Sequence, residues 1–76
     1  MRQLMEFHPE YSIDEIYEKL PKYLKEDTAL LEECYSKGEI FNPVFDYFEP
    51  DVKAAIRSGR ITDAEAKILL LRYDLW

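Results

Sequence analysis

The chain has 76 residues, which admits one domain with a radius of gyration of roughly 11 Å and no second core. Hydrophobic residues make up 47% and charged residues 34%, a balance that excludes disorder from apolar poverty. Sixteen acids against ten bases give a net charge of −6, which disfavours nucleic acid and anionic membrane surfaces as direct partners.

Residues 1–11 read as an N-terminal arm of a single domain spanning 1–76. The first ten carry Glu6, His8 and Pro9 and no apolar run of signal-peptide length, so no secretory leader is expected. Ser12 and Glu15 match a capping box, and Ile13, Ile16, Tyr17, Leu20 and Leu24 fall on one face of a 3.6-residue period. A first helix is therefore predicted from Ile13 to about Leu20, where Pro21 removes a donor and breaks it.

A second helix is predicted to start at Asp27 or Thr28, to bury Leu30, Leu31, Cys34 and Tyr35, and to stop at Gly38 in a left-handed cap. Its solvent face would show Glu32 and Glu33. Asn42 before Pro43 reads as N-cap plus first helical residue of a short aromatic helix with Val44, Phe45 and Phe48 turned inward. Glu49 precedes Pro50 and is expected to be extended. A separate short helix then runs from Asp51 to Ser58, closed by Gly59, with Val52, Ala55 and Ile56 inside.

Thr62 and Glu65 form a second capping box, followed by good helix formers from Ala64 to Leu75. Ala64, Ile68, Leu71 and Leu75 make one apolar stripe, and Ala66, Leu69, Leu70 and Tyr73 make adjoining ones. A helix apolar on several sides must be surrounded, so the expected fold is all-α, a compact bundle of four to five short helices packed around an apolar C-terminal helix. No alternating run of strand length is present. The longest apolar run, Ile68 to Leu71, is far short of the ~20 residues of a membrane span. A weak likeness between 12–24 and 62–73 is accounted for by shared capping and stripe requirements.

Cys34 is the only cysteine, which excludes an intrachain disulfide or a cysteine-built zinc cluster and points to a reducing, cytoplasmic setting. Its helical neighbours are apolar, so it reads as a buried structural thiol. His8 is the only imidazole and, beside Pro9, reads as a solvated or capping residue. Carboxylate pairs such as Asp14 with Glu18 lack the partner histidines of a di-metal bundle, the calcium-loop pattern is missing around Asp46 to Asp51, and Gly38 and Gly59 stand too far apart for a phosphate loop. No catalytic, metal or cofactor site is therefore assigned, and the chain is not read as an enzyme.

The acids are concentrated. Between Glu26 and Asp51, eight carboxylates face the single cation Lys37, a net of −7, interleaved with Tyr35, Phe41, Phe45, Tyr47 and Phe48. The leading functional reading is a non-catalytic acidic binding module, a regulator or adaptor, that engages a protein partner with a basic surface. Glu32, Glu33, Glu39, Phe41, Asp46, Tyr47, Glu49 and Asp51 are the partner-binding candidates, the carboxylates steering and Tyr47 and Phe41 anchoring. Phe45 and Phe48 are assigned to the core, and Trp76 to packing against the bundle. A homodimer is compatible with so small a core.

A second reading is a nucleic-acid mimic that blocks a basic groove, of the anti-restriction or anti-CRISPR type. Its excess of seven negatives would cover only about 12 Å of duplex, given one charge per ~1.7 Å. A third is a helix-turn-helix DNA binder over Val52 to Tyr73. That outline is opposed by its recognition helix, which would open Thr62, Asp63, Ala64, Glu65 and set carboxylates against phosphate.

Overall fold

Pro21 separates two helices as expected, and the longest helix opens immediately after it. In the computed structural model, which describes residues 6–39 and 42–76, four helices run α1 Asp14–Tyr17, α2 Lys22–Lys37, α3 Val44–Arg57 and α4 Asp63–Arg72. No strand occurs among the described residues. The radius of gyration is 11.6 Å.

The first predicted helix shrinks to one turn. Ser12 Oγ accepts from the Asp14 amide at 3.4 Å instead of closing a capping box, and turn bonds carry the chain on through Lys19 and Leu20. Ile13, Ile16, Leu20 and Leu24 are nonetheless all buried, as their spacing requires, while Tyr17 is exposed. Pro21 is extended at φ −65° and ψ 163°, and its carbonyl accepts from Leu24 and Lys25, both at 3.0 Å. A proline there lacks only a donor that no helical carbonyl could have used, so α2 starts at Lys22 and not at Asp27 or Thr28. Thr28, taken as a possible cap, lies inside the helix and donates to the Lys25 carbonyl at 2.9 Å.

α2 ends as expected at Gly38, φ 73°. The Glu39 amide donates to the Cys34 carbonyl at 2.8 Å and the Gly38 amide to Tyr35 at 3.4 Å, which together form a Schellman cap. Asn42 caps α3, its Oδ1 accepting from the Val44 amide at 3.0 Å. The two short helices expected on either side of Pro50 are one continuous helix. Val44, Phe45, Phe48, Val52 and Ala55 bury a single stripe across the proline, and Pro50 sits on the exposed side. One forfeited backbone bond facing water does not outweigh burial of that stripe at ~1.5–3 kcal/mol per large side chain.

Gly59, φ 75°, closes α3 with Arg60 donating to the Ala55 carbonyl at 3.0 Å. The Thr62 capping box is formed on both sides, with the Glu65 amide 3.2 Å from Thr62 Oγ1 and the Thr62 amide 2.9 Å from Glu65 Oε1. α4 ends on Asp74 in the left-handed region at φ 57°, and its Schellman bond runs from the Leu75 amide to the Leu70 carbonyl at 2.8 Å.

The centre of the domain is α3, which packs against both α2 and α4. α2 and α3 run antiparallel, because Tyr35 meets Phe45 while Asp27 meets Asp51. α4 buries one face through Ala66, Leu69, Leu70 and Tyr73; Ile68, Leu71 and Leu75 are half-buried and Ala64 is exposed. It is a flanking helix and not the enclosed one anticipated. Trp76 is 70% exposed, with the Lys67 ammonium 5.4 Å from its ring centroid, so it does not pack into the bundle. The described part of the N-terminal segment lies on the end of α4. Phe7 stacks at 6.0 Å on Tyr73, the His8 amide donates to the Arg72 carbonyl at 2.9 Å, and Arg72 donates to the Tyr11 carbonyl at 3.0 Å. Among the described residues no helix is long and apolar enough to cross a membrane.

Candidate functional site

Seven of the eight predicted contact residues are among those described, and they do not all share one face. At about 100° per residue, Glu32 and Glu33 point in different directions from α2. Glu32 turns toward α4, where its Oε2 accepts from the buried Tyr73 hydroxyl at 2.7 Å and lies 3.5 Å from Arg72 Nη2. Glu33 turns to solvent and pairs with Lys37 one turn on, at 2.7 Å. The Lys37 ammonium holds the Glu33 carboxyl below its usual range. Glu49 pairs in the same way with Lys53 at 3.2 Å.

Asp46 is exposed in the first turn of α3, where a negative charge suits the helix dipole. Glu39 is exposed just past the end of α2. Phe41 lies outside the described residues. Phe45 and Phe48 are core residues, as assigned.

Tyr47 and Asp51 remain, and they share a flank. They are one turn apart on the side of α3 that faces α2, whereas Asp46 and Glu49 fall about 100° and 160° away from Tyr47 around the helix. Tyr47 is 41% exposed. Across the seam stands Asp27, which was counted among the acids but not singled out. Asp27 is only 7% exposed, and its Oδ2 has no hydrogen-bond partner among the described residues. Burial raises its pKa to about 7, helped by the facing Asp51 carboxyl and by Glu26. Tyr47 is pushed up as well, first by desolvation and then by the charges of Asp27 and Asp51. One signal for Asp27 was available in the sequence: in a helix begun at Lys22, it falls on the same face as Leu24, Leu31 and Cys34.

The seam is therefore an exposed aromatic side chain beside a buried carboxyl, Asp27, faced by the half-exposed Asp51, with acids supplying the charge that acts on Asp27. Such an arrangement lets Asp27 keep its proton to a higher pH than an exposed carboxyl does. Among the described residues no group of three or more His, Cys, Asp or Glu side chains is arranged to hold a metal ion.

Elsewhere, Cys34 is buried and free, and its thiol pKa is raised by burial first and by Glu39 and Glu33 next. His8 is half-buried beside Glu10 Oε2 at 3.3 Å and Asp74 Oδ1 at 3.6 Å. A groove of about 510 Å³ between α1 and α4 is lined by Ser12, Asp14, Glu15, Ile16 and Ile68 and bridged by Lys19 and Glu65 at 2.7 Å. The helix-turn-helix outline is present as α3, turn and α4, but the first turn of α4 carries Asp63 and Glu65, and Glu65 is held by Lys19 and Thr62.

A scan against family models finds no match, and neither a curated protein nor a solved structure shows significant similarity to the chain.

Proposed function

We propose that this chain is a non-catalytic acidic binding module, cytoplasmic, that engages a basic protein partner through the α2–α3 seam. One observation carries the reading: Tyr47 is a large aromatic side chain left 41% exposed on a helix flank, beside the carboxyls of Asp51 and Asp27. An aromatic group on a rigid helix is the residue type that dominates interface energetics, and adjacent negative charge steers a cationic partner toward it. Glu39 and Asp46, both exposed, extend the negative rim. The reading also narrows the acid-rich segment, because Glu32, Glu33 and Glu49 are engaged with Arg72, Lys37 and Lys53 and contribute less net field than the bare sequence implies.

In-cell crosslinking supplies the partner, and calorimetry on the purified pair tests the reading. Tyr47→Ala is expected to weaken association by at least ~1 kcal/mol, and affinity should fall by less than about tenfold between about 50 and 200 mM salt. A Tyr47→Ala variant that binds as wild type refutes the module. A loss of roughly a thousandfold or more over that salt range, with competition by duplex DNA, replaces it by the nucleic-acid mimic.

A further inference from the structure

We propose that the outer face of α4 is a homodimer interface, in which Trp76 of each copy enters the groove between α1 and α4 of the other. α4 is apolar on two opposite sides. Ala66, Leu69 and Leu70 are buried, whereas Ala64, Ile68 and Leu71, at the i, i+4, i+7 spacing of a helix-packing seam, lie about 180° around the axis and keep contact with solvent. Leu75 continues that stripe past the cap, and Trp76 beyond it is 70% exposed. A domain of 76 residues has a small core, and an apolar seam left open beside it marks a surface built for association.

The groove and the indole match in chemistry. The groove holds about 510 Å³ between the apolar Ile16 and Ile68, and the exposed carboxyl groups of Asp14 and Glu15 also line it. An indole is an apolar plate with one N–H donor and no acceptor, so it buries its ring against the two isoleucines and donates to a carboxyl oxygen. Trp76 cannot fill its own groove, because it stands eight positions beyond Ile68, about 12 Å along the helix axis. Each chain therefore carries an exposed knob and an open hole that a second copy brings together twice, as an isologous two-fold contact requires.

Charge sets the orientation. In the antiparallel register that places Trp76 of one copy level with Glu65 and Ile68 of the other, Ile68 meets the second copy's Leu75, Leu71 meets its own counterpart, and Lys67 comes beside the second copy's Asp74. Lys67 is exposed and has the Trp76 ring, but no carboxylate, beside its ammonium among the described residues. Asp74, which its own His8 reaches at 3.6 Å, keeps 44% of its side chain exposed. Two symmetric ion pairs thus flank the seam, whereas a parallel pairing sets Lys67 against the second copy's Arg72. The interface does not use the α2–α3 seam and stands or falls apart from it.

The test follows the chain's single tryptophan by fluorescence alongside sedimentation equilibrium of the full chain, from about 5 µM to about 1 mM. A dimer is expected within that range, with the emission maximum moving to shorter wavelength in step with the dimer fraction. In a mixture of isotope-labelled and unlabelled chains, filtered NOEs should connect the Trp76 indole to the Ile16 and Ile68 methyls of the other copy. Trp76→Ala is expected to weaken the dimer at least tenfold with an unchanged circular dichroism spectrum, and Lys67→Glu to weaken it by about two- to fivefold. A chain that stays monomeric throughout, a dimer whose tryptophan emission does not move, or a Trp76→Ala dimer as tight as wild type overturns the interface. So do NOEs between copies that arise at Tyr47 in place of Ile16 and Ile68, and so does burial of Trp76 that appears only when a different protein is added.

Discussion

Asp27→Asn should make the protein more stable, and only where the wild-type carboxyl is ionised. The folded-state pKa is about 7, against an ordinary 3.8, because burial and Asp51 penalise the charged form. Between those values the folded protein keeps a proton that the unfolded chain has lost. Stability from this group is therefore fully present below about pH 3.8, declines as pH rises, and is gone above about pH 7. At ~1.36 kcal/mol per pH unit, the span corresponds to roughly 4 kcal/mol. Water reaching the half-exposed Asp51 side screens part of it, so we expect about 2 kcal/mol to be measured. Asparagine has nearly the same shape and never ionises. Urea denaturation followed by circular dichroism at pH 4.5 and pH 8 gives the difference between variant and wild type at each pH, which cancels the titration of carboxylates that do not interact with Asp27. That difference should grow by about 2 kcal/mol in favour of the variant at the higher pH. An equal difference at both pH values, or a variant less stable than wild type at pH 8, would refute the buried-acid assignment.

Four further outcomes follow from the geometry. Gly38→Ala places a side chain at φ 73° with no atom within 4 Å of the new Cβ, so the loss of about 1 kcal/mol should be pure backbone strain, visible as a fall of about 4–8 °C in Tm. Thr62→Ala opens the only two-sided capping box among the described helices and should cost about 1 kcal/mol in the same melt. Pro50→Ala restores an amide donor to the solvent side of α3 and should raise the urea midpoint, the proline's interior cost being ~3 kcal/mol before the unfolded chain's gain in freedom is subtracted. Glu32→Ala leaves the buried Tyr73 hydroxyl without its 2.7 Å acceptor and should cost about 1–3 kcal/mol, whereas Glu33→Ala removes a solvent-exposed pair and should leave the stability nearly unchanged.

Elements were legible where local chemistry leaves one solution. Gly38 and Gly59 are the only glycines in the chain, and both end helices with positive φ; the Thr62 capping box formed as its sequence pattern requires, with Glu65 also taking the Lys19 ammonium on its other oxygen. Prolines were legible only in part. Pro21 does separate two helices, but the second begins at Lys22 and not at Asp27 or Thr28, and Pro50 looked like a restart in a helix that never stops. In each case tertiary burial chose between two locally permitted readings: Leu24 and Leu31 needed one helix, and Phe48 and Val52 needed another. The C-terminal helix was overrated for a related reason. Its apolar circumference counts Ile68 and Leu71, which are only half-buried, while the enclosed position went to α3, whose solvent face is plainly charged. Asp74 carried no sequence signal at all, because a left-handed aspartate resembles any other until its amide is seen facing Leu71.

The acidic segment shows why composition locates a charge but not its availability. Glu32 and Glu33 are adjacent and chemically identical, yet one is drawn inward to a buried phenol and the other pairs along its own helix. A spacing of one residue turns a side chain by about 100°, enough to move it from the α4 contact to open water. Asp27 is the converse case: on the sequence it is one more acid near a helix start, and it gains its character from the antiparallel packing that sets Asp51 opposite. That pairing depends on α2 beginning at Lys22 and on α3 running unbroken through Pro50, the two features the sequence obscured. A charge reversal of the whole segment would therefore confound two effects, since Glu32→Lys attacks the core while Glu39→Lys changes only the rim. Restricting a reversal to Glu39 changes the surface field with the least effect on stability, and the exposed Tyr47 then tests recognition apart from the buried Asp27, whose substitution also changes stability.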